Sequence, residues 1–173
     1  MLVPQMDRAT LNSLSDEQLG RACMEPVFMQ IRGKSPEVKA EVVGQLGRAQ
    51  RALCMFRIFY DHSCNSAAEY YAWVSYLLDT PGYWDGVQGG LSFFGDTAMS
   101  RLLEDTRSTL MLRNDRLGLQ WSDAAIKGLE QDLVLAGQIE GLYERFRQVS
   151  LESLRTIAVY IRAHPELFVD LTS

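Results

Sequence analysis

The amino-acid sequence predicts an all-α fold, a single-domain helical bundle of about six helices over residues 1–173. Apolar residues recur every three or four positions over long segments, as on one face of a helix, and helix-capping patterns precede most of these segments. No segment shows the alternation of apolar and polar residues that is typical of a half-buried strand. A chain of this length suits one domain, with residues 1–14 as a candidate flexible segment.

The first two predicted helices begin at clear capping signals. Ser15 and Gln18 have the spacing of a capping box, in which each side chain accepts the backbone N–H of the other residue. This helix is expected to end or bend at Pro26. The second begins at Ser35-Pro36-Glu37, with serine as cap and proline at the first helical position. Its apolar stripe continues to Tyr60, which predicts one uninterrupted helix.

The third predicted helix begins at a second capping-box pattern, Ser66-Ala-Ala-Glu69, and ends at Thr80-Pro81-Gly82. Residues 82–96 interrupt the helical pattern, because five glycines are interleaved there with four aromatic residues. Glycine costs a helix about 1 kcal/mol relative to alanine. The segment is therefore predicted to be a Gly/aromatic-rich loop with about one helical turn. Gly89 and Gly90 are interpreted as the place of a tight bend or a close helix approach.

Three more helices are predicted in the second half of the chain. Asp96 caps the first of them, and residues 111–121 have no clear pattern. The longest helix spans 123–149, and its apolar seam suits either the spine of the bundle or a contact with a second copy of the chain. The last helix begins at Ser150 and ends before Pro165.

Charge and cysteine usage exclude several classes of protein. The net charge is −5 and the pI is about 5.1, which argues against a nucleic-acid partner bound through its phosphates. The sequence shows no secretory signal and no apolar run of the roughly 18 residues that a membrane helix needs, so no membrane association is expected. Three cysteines without a CxxC pair do not resemble a disulfide framework. The chain is predicted to be cytoplasmic.

The most unusual feature is a base-free central stretch, residues 58–100, which contains no lysine or arginine. Ten of the chain's 17 aromatic residues lie in it. Such a stretch suits a packed core, a recognition surface or a pocket, because aromatic side chains bring large apolar area and the polar tips of Tyr and Trp want a partner. If it lines a cleft, its acidic residues favour a cationic or polyhydroxylated ligand, and its aromatic faces attract a positive group.

One short segment concentrates groups that can do chemistry. Asp61, His62 and Cys64 lie within four residues, and a histidine can activate a thiol nucleophile. Side chains two apart on a helix point away from each other, however. The zinc and di-iron spacings CxxC, HExxH and ExxH do not occur, and residues 82–96 lack the glycine pattern of a dinucleotide or phosphate loop. No catalytic residue, metal site or cofactor is predicted.

Two functions from different classes remain. The first is a non-enzymatic interaction or regulatory module that binds a protein partner or its own copy through the base-free central stretch. Its predicted ligand- or partner-binding residues are His62, Glu69, Tyr70, Trp73, Tyr83, Trp84 and Asp85. The alternative is a small-molecule-binding protein or enzyme whose inter-helix pocket is lined by Asp61, His62, Glu69, Trp84 and Asp85. Exposure of Trp84 and Asp85 on a flat face favours the module, and their convergence with His62 around a concavity favours the pocket.

Overall fold

The computed structural model describes residues 2–172, and within them the chain forms nine α-helices and one short sheet. The all-helical class is confirmed, whereas a bundle of about six helices is not. The helices are α1 (Arg8–Ser13), α2 (Asp16–Ile31), α3 (Pro36–Gly44), α4 (Arg48–Ser63), α5 (Ala67–Asp79), α6 (Tyr83–Phe94), α7 (Thr97–Leu117), α8 (Ile126–Gln131) and α9 (Leu133–Ala163). The strands are β1 (Gln5–Asp7) and β2 (Asp170–Thr172). Every helix of the described chain is too short or too polar to span a bilayer.

Helix α4 lies at the centre of the core and packs against α2, α5 and α6. Eleven of its sixteen residues are buried, including Leu53, Phe56 and Phe59 with no solvent exposure. A helix buried over most of its surface must be covered by neighbours on several sides, and the exposed residues Arg48, Arg51 and His62 mark where α4 is left open. Neighbouring helices cover these sides, so their positions are set by their contacts with α4.

The single helix predicted from Ser35 to Tyr60 is wrong, because the chain breaks between α3 and α4. Gly44 and Gly47 flank the break, and glycine weakens a helix interior. The Gln50 side chain accepts the Gly47 N–H at 3.4 Å and donates to the Leu2 carbonyl at 3.1 Å, which fixes the start of α4. The apolar stripe continues across the break, so periodicity alone did not reveal it.

The predicted loop at residues 82–96 is also wrong, since Tyr83–Phe94 forms the helix α6. Gly82 and Gly95 take left-handed backbone angles, with φ of 80° and 73°, and end the helix on both sides. Gly90 lies directly against the backbone of α4, where a Cβ would come within 2.8 Å of the Ala52 carbonyl oxygen. The glycines therefore allow two helices to approach closely, and this packing offsets their low helix propensity. The interpretation of Gly90 as a close approach is confirmed.

The two helices predicted at 123–149 and from Ser150 are one continuous helix, α9, and the start of the first is the separate α8. The Ser150 hydroxyl donates to the Phe146 carbonyl at 2.6 Å and so is satisfied inside the helix instead of capping a new one. Arg162 near the end of α9 donates to Asp16 at 2.8 Å and to the Leu14 carbonyl at 2.7 Å, which joins α9 to the start of α2.

A two-stranded parallel sheet, which the sequence did not predict, joins the two ends of the described chain. β1 pairs with β2 in the register Gln5↔Asp170, Met6↔Leu171 and Asp7↔Thr172. The N-terminal segment for which the sequence allowed flexibility thus contains β1 and α1, and Leu11 has no solvent exposure. Each strand has only three residues, too few for an alternating pattern to be recognised.

The close contact of α6 with α4 predicts opposite effects for two adjacent glycines. Gly90→Ala should lower the free energy of unfolding by about 1–3 kcal/mol, because the new methyl group meets backbone that cannot easily move. Gly89 has open space around it, so Gly89→Ala should raise stability by up to about 1 kcal/mol through helix propensity. Urea unfolding monitored by circular dichroism measures both. Equal effects of the two substitutions would contradict the packing described here.

Candidate functional site

A cavity of about 440 Å³ opens between the C-terminal end of α2, α3, the C-terminal half of α4, α5 and the first turn of α6. We call it the α4–α5 cavity. Its volume falls within the range of small-molecule sites, which spans roughly 300–1,000 Å³. The lining combines apolar, aromatic and charged side chains: Phe28, Ile31, Arg32, Gly33, Lys39, Arg57, Ile58, Asp61, His62, Trp73, Tyr76 and Tyr83.

Aromatic rings in mutual contact form one wall of this cavity. The His62 imidazole stacks on the Trp73 indole with ring centroids 4.0 Å apart and planes 8° from parallel. The Tyr76 ring lies next to Trp73, with ring centroids 4.8 Å apart, and the Tyr83 ring centroid lies 5.9 Å from that of Tyr76. His62 Nδ1 lies 2.8 Å from the Ile58 carbonyl and donates to it, which fixes the ring in its stacked orientation. The wall is held before any ligand arrives.

Arg57 borders the cavity, and 0% of its side chain is exposed to solvent. Nη2 donates to the Asp61 carboxylate one turn along α4, and the guanidinium lies 5.2 Å from the Tyr60 ring centroid. Nε and Nη1, which carry three of the five guanidinium N–H bonds, have no hydrogen-bond partner among residues 2–172. Buried charged donors normally have acceptors, so Arg57 is the least satisfied strong donor of the site.

The charge of the lining is positive. Burial raises the pKa of the Asp61 carboxyl, and this effect exceeds the opposite influence of the neighbouring Arg57. Arg32 is exposed and Lys39 is half-buried at the α2 and α3 side of the cavity. Within the part of the chain that the structure describes, neither of these two side chains forms an ion pair. Three basic side chains thus face a single carboxylate.

The structure brings together four of the residues that the sequence singled out: Asp61, His62, Trp73 and Tyr83 all line the cavity. Tyr70 does not, because it is fully buried in the core and its hydroxyl lies 2.8 Å from the Thr106 hydroxyl. Burial raises the pKa of the Tyr70 phenol, as expected of a hydroxyl without contact to water.

Glu69, Trp84 and Asp85 do not line the cavity, and no two of them face the same groove. Glu69 is half-buried in the first turn of α5, and one of its carboxylate oxygens is buried with no partner among the described residues. Trp84 faces a different groove, where the Arg107 guanidinium lies 5.7 Å from its ring centroid. Asp85 is exposed beside a third groove. Because α6 is a helix, Tyr83 and its two successors point about 100° apart, which separates residues that a loop could have brought together.

Half of the aromatic residues of the base-free central stretch are buried. Of its ten aromatic residues, only Tyr76 is exposed, with 44% of its surface accessible. Four are half-buried and five are buried: Phe59, Tyr60, Tyr70, Tyr71 and Phe94. The stretch therefore contributes to the core, and three of its five accessible aromatic residues, Trp73, Tyr76 and Tyr83, line the cavity.

Sequence reasoning missed the basic residues of the site, Arg32, Lys39 and Arg57. Arg57 immediately precedes the base-free stretch, and the other two belong to distant segments of the chain. One signal for Arg57 was present in the sequence: it is the only charged residue in the otherwise apolar run Ala52–Tyr60. A lone arginine inside the core helix of a bundle needs a partner, and the partner marks a candidate site.

The Asp61-His62-Cys64 segment does not form a nucleophilic pair. His62 Nδ1 is bonded to the Ile58 carbonyl, and the Cys64 thiol points to the Asp61 carbonyl at 3.9 Å. Burial raises the pKa of the Cys64 thiol, which is the opposite of activation. Within residues 2–172, no group of three or more His, Cys, Asp or Glu side chains is arranged to hold a metal ion.

No protein-family model, curated protein or solved structure matches this chain. The cavity itself offers an aromatic wall, unpartnered N–H donors and a surplus of positive charge. The Trp73 indole N–H belongs to these donors, since it is buried without a hydrogen-bond partner in the described part of the chain. A planar ring fits the aromatic wall, and a negatively charged acceptor group fits the unpartnered donors and the positive charge.

The burial of the cysteines predicts their reactivity with a thiol reagent at pH 8. Burial raises the pKa of Cys23 and of Cys54 to about 12, which leaves about one molecule in ten thousand as thiolate. The half-buried Cys64 should therefore be the one thiol that reacts with Ellman's reagent in the folded protein, and Cys64→Ser should remove the signal. Rapid reaction of two or three thiols in the folded protein would contradict this arrangement.

Proposed function

We propose that this protein binds a small planar organic molecule in the α4–α5 cavity. The observation that carries the proposal is the His62–Trp73 stack, which presents a fixed aromatic wall at the edge of a cavity of ligand size. An aromatic pair contributes about 0.5–1.5 kcal/mol beyond the hydrophobic free energy of the area that it buries. A ring that binds at this wall therefore gains both the hydrophobic contribution and the contribution of the aromatic contact. The bound ring also meets Tyr83, which α6 brings to the opposite end of the aromatic series.

This function corresponds to the pocket alternative of the sequence analysis, with a different set of residues. Asp61 and His62 belong to it, whereas Glu69, Trp84 and Asp85 are replaced by Trp73, Tyr83 and Arg57. An interaction module based on residues 58–100 also stays a prediction: five of the ten aromatic residues of that stretch are buried, and Trp84 and Asp85 neither converge with His62 nor share one groove. The cytoplasmic location also stays a prediction, and three free thiols are compatible with it.

Binding of a neutral planar probe tests the proposal. 2-Naphthamide titrated into labelled protein should shift the indole N–H resonance of Trp73 and leave those of Trp84 and Trp121 in place, since only Trp73 lines the cavity. Two-dimensional ¹H–¹⁵N NMR resolves the three signals and gives the affinity.

Two variants serve as site and control in this titration. Tyr83→Leu removes one ring of the wall and should weaken binding about three- to tenfold. Trp84→Leu changes the adjacent residue of α6, which faces another groove, and should leave the affinity unchanged. A probe that shifts Trp84 or Trp121 as strongly as Trp73, or that leaves Trp73 unmoved, would contradict the proposed function. A protein partner would then be the next candidate.

A further inference from the structure

We propose that the ligand of the α4–α5 cavity carries a carboxylate on its ring, and that the buried guanidinium of Arg57 receives that carboxylate. This inference rests on the proposed function, because it specifies the ligand of the same cavity. It assigns to Arg57 a role that the sequence did not suggest, and it reverses the expectation of a cationic ligand drawn from the acidic residues of the base-free central stretch.

The first argument is the unsatisfied state of the Arg57 side chain. Moving a charged group out of water is costly unless its hydrogen bonds are replaced, and Asp61 replaces those of one guanidinium nitrogen only. The Tyr60 ring centroid lies 5.2 Å from the guanidinium, a cation–π contact that replaces none of the guanidinium's hydrogen bonds. Nε and Nη1 remain without an acceptor, and because both atoms are buried, the guanidinium has to turn toward the cavity to reach a carboxylate. A carboxylate is the group that proteins most often pair with arginine, since both are planar and their hydrogen bonds are charge-assisted.

The second argument is the arrangement of α4. Arg57, Ile58, Asp61 and His62 are spaced by one, three and one residues, which places them on one face of the helix, toward the cavity. The same two turns therefore present the cation and the aromatic wall side by side. A ring in contact with the aromatic wall, with a carboxylate directed toward Arg57, uses both features at once.

The third argument is the charge balance. Asp61 offsets Arg57, and Arg32 and Lys39 at the α2 and α3 side leave the lining positive. Such a lining repels a cation and raises the local concentration of an anion.

A pair of probes that differ in charge and share one ring system tests the inference. 2-Naphthoate and 2-naphthamide should both shift the Trp73 indole N–H, and the carboxylate should bind at least about tenfold more tightly, as expected for hydrogen bonds to a charged group. Arg57→Met should lower the affinity for 2-naphthoate toward that for 2-naphthamide and leave the affinity for the amide unchanged. Arg107→Met, at the groove of Trp84, removes an arginine next to an aromatic ring elsewhere and should change neither affinity.

The outcomes separate this inference from the proposed function. If the wild-type protein binds the two probes at Trp73 with equal affinity, the proposal that the ligand carries a carboxylate is wrong, whereas the proposed binding function stands. Tighter binding of 2-naphthyl phosphate than of 2-naphthoate would overturn the choice of anion. An unchanged affinity for 2-naphthoate in Arg57→Met would overturn the role of Arg57. Failure of both naphthoate and naphthamide to move Trp73 would overturn both proposals.

A second variant keeps the test valid if Arg57→Met does not fold. Arg32→Met/Lys39→Met changes two side chains at the accessible side of the cavity, so the core is unaffected. This variant should bind 2-naphthoate several-fold more weakly, and its affinity should depend less on salt than that of the wild type. Its affinity for 2-naphthamide should be unchanged. An unchanged naphthoate affinity and salt dependence would contradict the proposed charge recognition.

Discussion

The close approach of α6 to α4 is the constraint on which the rest of the structure depends. Gly90 allows the two helix backbones to meet, because any side chain at that position would collide with the Ala52 carbonyl. Gly86 makes a similar allowance for Met55, whose terminal methyl would lie 2.7 Å from an added Cβ. With α6 held along α4, Tyr83 comes to the cavity and Val87, Leu91 and Phe94 enter the core. One helix contact thus completes the interior and positions part of the candidate site.

Helix α4 combines two roles that conflict energetically. It supplies the centre of the core, where Leu53, Phe56 and Phe59 are fully buried, and it carries a charged arginine into the same interior. Apolar burial stabilises at about 25 cal/mol per Å², whereas a buried and incompletely bonded cation costs stability. Proteins tolerate such costs at sites of recognition, where a strained or unsatisfied group acquires its partner from the ligand. The proposed carboxylate gives Arg57 that partner.

Local signals predicted part of this fold, and long-range contacts account for what they missed. Ser15 and Gln18 form the predicted capping box, and Ser66 accepts the Glu69 N–H as expected, because capping depends only on neighbours in sequence. The helix α6 depends instead on the surface of α4, which overrides the poor propensity of its glycines.

The same limit applies to the candidate site and to the sheet. His62, Trp73 and Tyr83 were found because aromatic residues are conspicuous in a base-free stretch, but Arg57 lies immediately outside that stretch and was not connected with them. The pairing of β1 with β2 joins segments more than 160 residues apart, and no local pattern predicts such a contact.

The stability of a variant that lacks the charges of both Arg57 and Asp61 tests most directly whether Arg57 serves ligand binding or the stability of the fold. Arg57→Met/Asp61→Asn removes the buried cation together with its partner and keeps a side chain of similar length at position 57. If Arg57 is retained for recognition, the free energy of unfolding of this variant in urea should equal or exceed that of the wild type, as is often found when a buried ion pair is replaced. A decrease of about 3 kcal/mol or more would show that the ion pair holds the fold, and would contradict its assignment to a ligand.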